Sequence, residues 1–385
     1  MKKGWQTKTI GDVCEVIAGQ SPEGKFYNAE GKGMPFYQGK KDFGDKFIEA
    51  PTTWTTQTTK IAKAGDILMS VRAPVGPVNF ATDEVCIGRG LAAIRSSDEL
   101  NRDFLFYQLW HLQPEIAGRE GAVFASINKA EIEALPLAYA PLAEQQRIVG
   151  LLDEAFEGLA TAKANAEKNL QNARALFESH LQSVFTQRGN GWVETTIGET
   201  CTLRSGTTVS PTLEKPIGDI PYLKVADMTF EGNEDQITTS SRFLRDADVR
   251  ESAIIPKGAT IFPKRGGAIL TNKKRITSLP ICADLNIMAV IPSSRIEAGL
   301  LYFYFLNVDM RKLGTGSSIP QINNYDIAPL LISFPKSLTT QGEIVSKLED
   351  LRVETQCLAR IYERKLAALA ELKKSLLHQA FTGEL

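Results

Sequence analysis

From Pro141 to Gln187, apolar side chains recur at Ile148, Leu152, Ala155, Leu159, Ala162, Ala166, Leu170, Ala173, Phe177, Leu181 and Val184. Steps of three and four make the apolar seam of a helix that packs on another helix. Ala, Leu, Glu, Gln and Lys dominate the segment, all good helix formers, and no proline or glycine follows Gly158 within it. A helix of about 40 residues is about 60 Å long, too long for one small domain to bury. It needs a partner or holds two things apart. The chain supplies the partner: Ile344, Leu348, Leu351, Thr355, Leu358, Tyr362, Leu366, Leu369 and Ala380 repeat the seam about 196 positions later. The paired steps of four at Ala162-Ala166-Leu170 recur at Leu358-Tyr362-Leu366, a shared change of supercoil phase. The helix ends LFESHLQSVFTQ (176–187) and LKKSLLHQAFTG (372–383) match as well. The expectation is two long helices packed on each other along much of their length.

The rest of the chain repeats too. GWQTKTIGDVC (4–14) returns as GWVETTIGETC (191–201), and AGDILMSVRAPVG (64–76) corresponds to KGATIFPKRGGAIL (257–270). VCIGRGLAAIRSS (85–97) pairs with ICADLNIMAVIPSS (281–294), which makes Cys86 and Cys282 matching buried small hydrophobes. FLFYQLW (104–110) and LLYFYFL (300–306) read as helices, and SINKAEIEALPL (126–137) matches QINNYDIAPLLI (321–332). An internal repeat of this kind sets the architecture: globular domain 1–140, helix 141–187, globular domain 188–337, helix 338–385. Short β-like runs broken by Gly, Pro, Asn and Asp (PFYQ 35–38, FIEA 47–50, DILMSV 66–71, IPYLKVADM 220–228) make each globular half α+β, with a curved sheet or partial barrel. The halves diverge most at 20–60 and 205–256, consistent with one task performed on two ligands or with drift in unconstrained loops.

Known catalytic constellations do not fit. Gly19–Phe26 satisfies GxxxxGK but places Phe26 where a phosphate-binding loop needs Ser or Thr for magnesium. Asn323-Asn324-Tyr325-Asp326 lacks the prolines of an adenine methyltransferase loop, has Asn128-Lys129-Ala130-Glu131 as its counterpart, and needs no catalytic role as a cap or turn before an apolar helix or strand. His111, His180 and His378 are far apart in sequence, and the five cysteines show no CxxC and no paired His spacing. An odd cysteine count without a signal peptide is the pattern of reduced thiols in a cytosolic protein. A net charge of −1 decides nothing about nucleic acid, so charge is read locally.

Locally, basic loops stand out. Lys264, Arg265, Lys273, Lys274 and Arg275 fall in one stretch with no acid. In the first half Lys25, Lys32, Lys40, Lys41 and Lys46 interleave with Phe26, Tyr27, Phe36, Tyr37 and Phe43, and Arg72 follows. Lys and Arg in glycine-rich loops suit phosphate contacts, and Arg suits bidentate contacts to bases; a solvated surface loop has the same composition. Lys25, Lys32, Lys40, Lys41, Arg72, Lys264, Arg265, Lys273, Lys274 and Arg275 are the candidate DNA-contacting residues.

The arrangement as a whole resembles the specificity (S) subunit of type I restriction-modification systems. The resemblance is carried by the GW…IG…C openings, by AGDIL…R…G at 64–76, by N…I…LPL–PL–EQQRIV…L at 128–152 and by LLHQAFTGEL at 376–385. The second copy has Thr340-Gln341-Gly342-Glu343 where the first has Glu144-Gln145-Gln146-Arg147. The resemblance implies two target recognition domains reading a split, asymmetric DNA site, and an antiparallel coiled coil that spaces them with pseudo-twofold symmetry. It also implies docking of two methyltransferase subunits, with restriction subunits joined through them, and no catalysis by this chain in a bacterial or archaeal cytoplasm. S-adenosylmethionine, ATP and Mg then belong to the partner subunits. Gln145, Gln146, Ile148, Leu152, Phe177, Phe185, Ile344, Leu348, Leu372 and Phe381 are the implied spacer and docking residues. Two other classes stay open at the level of sequence: a coiled-coil adaptor that binds protein alone, and the recognition part of a fused DNA methyltransferase.

Overall fold

The computed structural model describes residues 4–118, 126–186, 190–313 and 320–385; Gln187, the expected end of the first long helix, lies outside them. The chain divides into two compact units, residues 1–167 with 364–385, and residues 168–363.

In the first unit, strand Gln6–Thr9 pairs antiparallel with Pro136–Tyr139, closing the start of the globular part on its end. A four-stranded antiparallel sheet follows in the order Cys14–Ala18, Leu91–Ser96, Ile67–Ser70, Val78–Phe80. Side chains alternate across it, as a strand requires. Ile67, Met69, Ala92 and Ile94 enter one core with the helix Arg102–Gly118, while Leu68, Leu91 and Ala93 enter a second core beneath shorter strands. Those shorter strands include Met34–Tyr37, which runs parallel to Val85–Ile87. Of the β-like runs, 47–50 forms only isolated bridges, at Phe47 and Ile48.

The second unit repeats this plan. Trp192–Thr196 pairs with Leu331–Pro335. The main sheet runs Cys201–Ser205, Ile287–Pro292, Thr260–Pro263, Arg275–Thr277, Gln236–Ile237. Phe262, Met288 and Val290 face a core shared with the helix Ala298–Asn307, and Ile261, Ile287 and Ala289 face the other way. The run 220–228 is strand only as far as Leu223; a 3₁₀ turn covers Val225–Thr229, with the Lys224 N–H donating to the Asp227 carboxylate at 2.7 Å. Cys86 and Cys282 are both buried. The Asn128 amide oxygen accepts the Glu131 N–H at 3.0 Å, and the Asn323 N–H donates to Asp326 at 2.8 Å, so both motifs are helix caps.

The central helix spans Leu142–Thr186 and the closing helix Leu338–Thr382, 45 residues each. In the first unit the start of one meets the end of the other: Ile148 and Leu152 share a core with Leu377 and Ala380, and Arg147 donates to the Leu385 carbonyl at 2.9 Å. In the second unit Leu181, Val184 and Phe185 share a core with Leu348, and Arg174 pairs with Glu363 at 2.8 Å. The helices are therefore antiparallel. Every seam position of the central helix is buried or half-buried; in the closing helix only Leu358 turns outward, 41% exposed, at the phase change.

Candidate nucleic-acid interface

At one edge of the first unit, four chain segments are laced together by backbone hydrogen bonds. Gly19 N–H donates to the Leu91 carbonyl at 3.0 Å, Gln20 N–H to Ile87 at 2.9 Å, Gly88 N–H to Tyr37 at 2.8 Å and Val71 N–H to Gly90 at 3.0 Å. Arg89 N–H donates to Ser21 Oγ at 3.2 Å. The lacing is tight enough to exclude side chains at its root, since a Cβ on Gly19 would sit 2.2 Å from the Gly88 carbonyl oxygen. From this root Gln20, Gln38, Lys40, Arg72 and Arg89 reach solvent. The backbone of Arg72 bridges to Ser126.

The second unit builds the same edge. Gly206 N–H donates to Ile287 at 3.0 Å, Thr207 N–H to Ala283 at 2.8 Å, Asp284 N–H to Leu223 at 2.9 Å and Lys264 N–H to Asn286 at 2.8 Å. A Cβ on Gly206 would lie 2.0 Å from the Asp284 carbonyl oxygen. Arg265 is exposed and bridges to Gln321, as Arg72 does to Ser126. The tips differ: Thr207 stands for Gln20, Lys224 for Gln38 and Leu285 for Arg89. Lys224 is held by Glu214 at 2.8 Å.

The ten expected basic residues do not form one kind of surface. Arg72 and Arg265 each stand on the laced edge of their own unit, with Lys40 and Lys41 on the turn Lys40–Asp42 that adjoins the first. Lys25 and Lys32 are exposed, but each pairs with the acid two residues before it, Glu23 at 2.6 Å and Glu30 at 2.5 Å. Lys273 is half-buried. Three others are not solvent-facing cations, contrary to the reading of 264–275 as one open loop. The 3₁₀ turn Gly266–Thr271, the left-handed Asn272 and the strand Arg275–Thr277 fold that stretch inward. Lys264 is buried, its ammonium donating to Ser205 Oγ at 2.7 Å, and burial beside Arg265 lowers its pKa. Lys274 donates to the Val308 carbonyl at 2.6 Å and to Asn272 Oδ1 at 2.8 Å, and burial pushes its pKa down to about 8. The Arg275 guanidinium is spent on the carbonyls of Asn233, Met228 and Lys274.

On the long helices most of the expected docking residues face their own cores. Ile148, Leu152, Phe185 and Leu348 are buried, and Phe177, Ile344 and Phe381 pack half-buried against the same clusters. Gln145 is fully buried: its Oε1 accepts Asn101 N–H at 2.7 Å and its Nε2 donates to the Ala140 carbonyl at 2.8 Å. Gln341, which the sequence reading did not single out, makes the same bonds to Glu297 N–H (2.7 Å) and the Pro335 carbonyl (2.8 Å). Only Gln146 and Leu372 of the set face outward. Of the exposed apolar residues on the long helices, Leu142 with Leu338 (43% and 51% exposed) and Leu176 with Leu372 (52% and 47%) are repeat-related pairs, whereas Leu151, Val353, Leu358 and Ile361 have no exposed apolar counterpart.

One cavity of about 660 Å³ lies in the first unit, lined by Trp110, His111, Pro114, Lys373, Leu377 and His378. The His111 and His378 rings are 5.7 Å apart, and burial together with His378 lowers the His111 pKa. Among the described residues no group of three or more His, Cys, Asp or Glu side chains is arranged to hold a metal, and no helix is long and apolar enough to cross a membrane.

The family model of the type I restriction modification DNA specificity domain matches residues 2–170 and again residues 189–364. The chain belongs to the family of type I restriction-modification specificity subunits. A putative type I restriction enzyme MjaX specificity subunit of Methanocaldococcus jannaschii is 39% identical over 174 residues, 44% of this chain and 40% of that relative. The MjaIX specificity subunit of the same organism is 22% identical over 100% of this chain and 94% of its own length. Among solved structures, a chain from work on complex assembly and conformational transition of the type I R-M system superposes with a TM-score of 0.82 at 18% identity, covering 100% of this chain and 99% of that one. The HsdS subunit from Thermoanaerobacter tengcongensis gives 0.64 at 18% identity, covering 100% and 98%. These likenesses bear on the fold, which the two solved chains share across the whole of this one. Sequence reasoning passed over Gln20, Gln38 and Arg89. Their signal was a long polar residue beside glycine where a strand ends, in Gly19-Gln20, Gln38-Gly39 and Gly88-Arg89-Gly90.

Proposed function

We propose that this specificity subunit reads a bipartite, asymmetric DNA site, each laced edge reading one half, with 1–140 and 188–337 as recognition domains and 141–187 and 338–385 as spacer helices. The observation that carries the reading is the placement of Arg72 and Arg265: the same position on the same edge of two repeated units, exposed, among neighbours that differ between the units. Arginine beside glycine-rich turns fits bidentate contact with guanine edges, and Lys40 and Lys41 fit phosphates. Different neighbours on one scaffold mean different half-sites in one geometry. The repeat-related exposed leucines support docking of two copies of one methyltransferase, since a twofold repeat offers two equivalent faces. In this reading the chain itself is not catalytic; S-adenosylmethionine is bound by the methyltransferase, and ATP and Mg act on restriction subunits joined through it.

The test is binding of the assembled complex to duplexes altered in one half-site at a time. Arg72→Ala is expected to cost about 1–3 kcal/mol and relax discrimination at one half only, and Arg265→Ala at the other. Lys40→Ala and Lys41→Ala are expected to weaken all sequences alike and flatten the salt dependence. Loss of discrimination at both halves from either arginine variant would refute domain-by-domain reading. Co-expression with the methyltransferase is expected to give one copy of this chain with two of the partner; a stable one-to-one complex under saturating partner would count against twofold docking.

A further inference from the structure

Lys46 and Asp235 occupy the same place in their units. The Lys46 carbonyl accepts the Phe80 N–H at 2.9 Å and the Asp235 carbonyl accepts the Ile276 N–H at 3.0 Å. Phe80 is the register partner of Ile67, and Ile276 of Thr260, on corresponding strands. The two side chains carry opposite charge.

In the first unit the Lys46 ammonium lies 3.1 Å from Asp103 and 3.3 Å from Asp153 of the central helix, and 5.0 Å from the centre of the Tyr107 ring. Tyr107 OH donates to the same Asp153 carboxylate. In the second unit the cation comes from the closing helix. The Arg352 guanidinium lies 2.8 Å from Asp235, 2.8 Å from Glu349 and 5.8 Å from the centre of the Phe303 ring. The repeat that aligns Ile148 with Ile344 also aligns Asp153 with Glu349, Tyr107 with Phe303, and Phe156 with Arg352. Each unit therefore holds one cation between the same helix acid and the same ring. The first receives it from the sheet-bearing lobe. The second receives it from the helix, and there the lobe residue has changed sign to match.

We infer that this compensated cation is a latch that orients each recognition lobe on its own long helix, with Lys46–Asp153 and Asp235–Arg352 as positioning residues for half-site geometry; the inference rests on the bipartite DNA reading proposed above. Both cations are largely shielded, their side chains 27% and 11% exposed. Their acid partners Asp153 and Asp235 are 50% and 39% exposed, so the pairs add little to stability; the cation is the shielded member, and an arrangement that takes its acid away leaves it less compensated, which favours one arrangement over others. The inverted polarity also sets lobe against helix when they are mismatched. A lobe carrying Lys at this place would face Arg352, and one carrying Asp would face Asp153, so like charges oppose exchange.

The test uses the complete complex with its methyltransferase and a duplex library that varies each half-site and the number of unread base pairs between them. Lys46→Asp is expected to lower the binding penalty for a gap one base pair off optimum by about threefold or more, leaving the preferred half-site letters unchanged. Adding Phe156→Arg supplies the cation from the helix, as in the second unit, with Asp103 remaining where that unit has Gly299, and is expected to restore the wild-type gap penalty to within about twofold. Asp235→Lys, and Asp235→Lys with Arg352→Phe, make the reciprocal experiment in the second unit, which carries the test if the first-unit variants fail to fold. Single variants that weaken binding equally at every gap, or doubles that do not rescue in either unit, overturn the latch while leaving bipartite reading intact. A wild-type complex with no preferred gap overturns both.

Discussion

Seven residues inserted after Glu167, and seven more after Glu363, would lengthen both long helices where the two compact units divide, so that neither core is opened. Both glutamates are exposed. A whole heptad keeps the apolar seam facing its partner, and at 1.5 Å per residue each helix gains about 10 Å. If the helices set the gap between half-sites, 10 Å corresponds to about 3 base pairs at 3.4 Å each. The preferred unread gap should therefore grow by about that much while the letters at both ends stay as they were. Three base pairs also turn the duplex by about 100°, at about 10.5 base pairs per turn. Affinity for the widened site should fall below that of wild type for its own site, because the DNA must twist to present both halves. The assay is selection or methylation over a library of gap lengths, with subunit composition and melting behaviour checked alongside. An unchanged preferred gap in a correctly assembled complex would make the helices a dock and not a ruler.

Gln145→Ala leaves the Asn101 N–H and Ala140 carbonyl without their partner in a fully buried place. It should cost about 2–4 kcal/mol in denaturant unfolding, with Gln341→Ala costing a similar amount in its own unit; losses below about 0.5 kcal/mol would refute the staple. Burial holds Lys274 at about 8 against an ordinary 10.5, so between those values the unfolded chain binds more protons and stability rises with pH. That rise, up to about 3 kcal/mol, should be missing in Lys274→Met; parallel pH profiles for the two proteins would count against it. Burial and His378 hold His111 below its ordinary 6.5, so stability should fall as pH drops below 6.5 and the unfolded chain takes up the proton first. His111→Phe should flatten that decline, measured by thermal melts from pH 7.5 to 5.

The long helices were legible because their signal is periodic and local: every apolar step from Ile148 to Val184 turned out to face a core or half-face one. The repeat was legible for the same reason, as matching side chains at matching intervals. What periodicity does not carry is the direction of an individual cation. Lys274 and Arg275 look like loop charges beside Lys273, but a carbonyl from Val308 and another from Met228 arrive through tertiary folding and draw them inside. Gln145 illustrates the same error on a helix. A glutamine at the first turn of a helix reads as surface, and only the packed structure brings the backbone of Glu99, Ala140 and Asn101 to it. In sequence Lys46 is one of a basic series, whereas its partners Asp103 and Asp153 are remote from it and are met only in the folded chain.

The glycines at the roots of the two edges carry a consequence for how such a chain changes over time. At Gly19 and Gly206 any added methyl group would collide with a carbonyl oxygen, so the posts from which the loops rise are fixed by sterics. The tips are free, and Gln20, Gln38 and Arg89 have already become Thr207, Lys224 and Leu285. Mutation can thus change the tips of an edge without disturbing how it is mounted. For an engineer the same asymmetry defines a cassette, but a block cut outside the glycine posts carries Lys46 or Asp235 with it, so moving it between units calls for Phe156 or Arg352 to be exchanged as well to keep the charges matched.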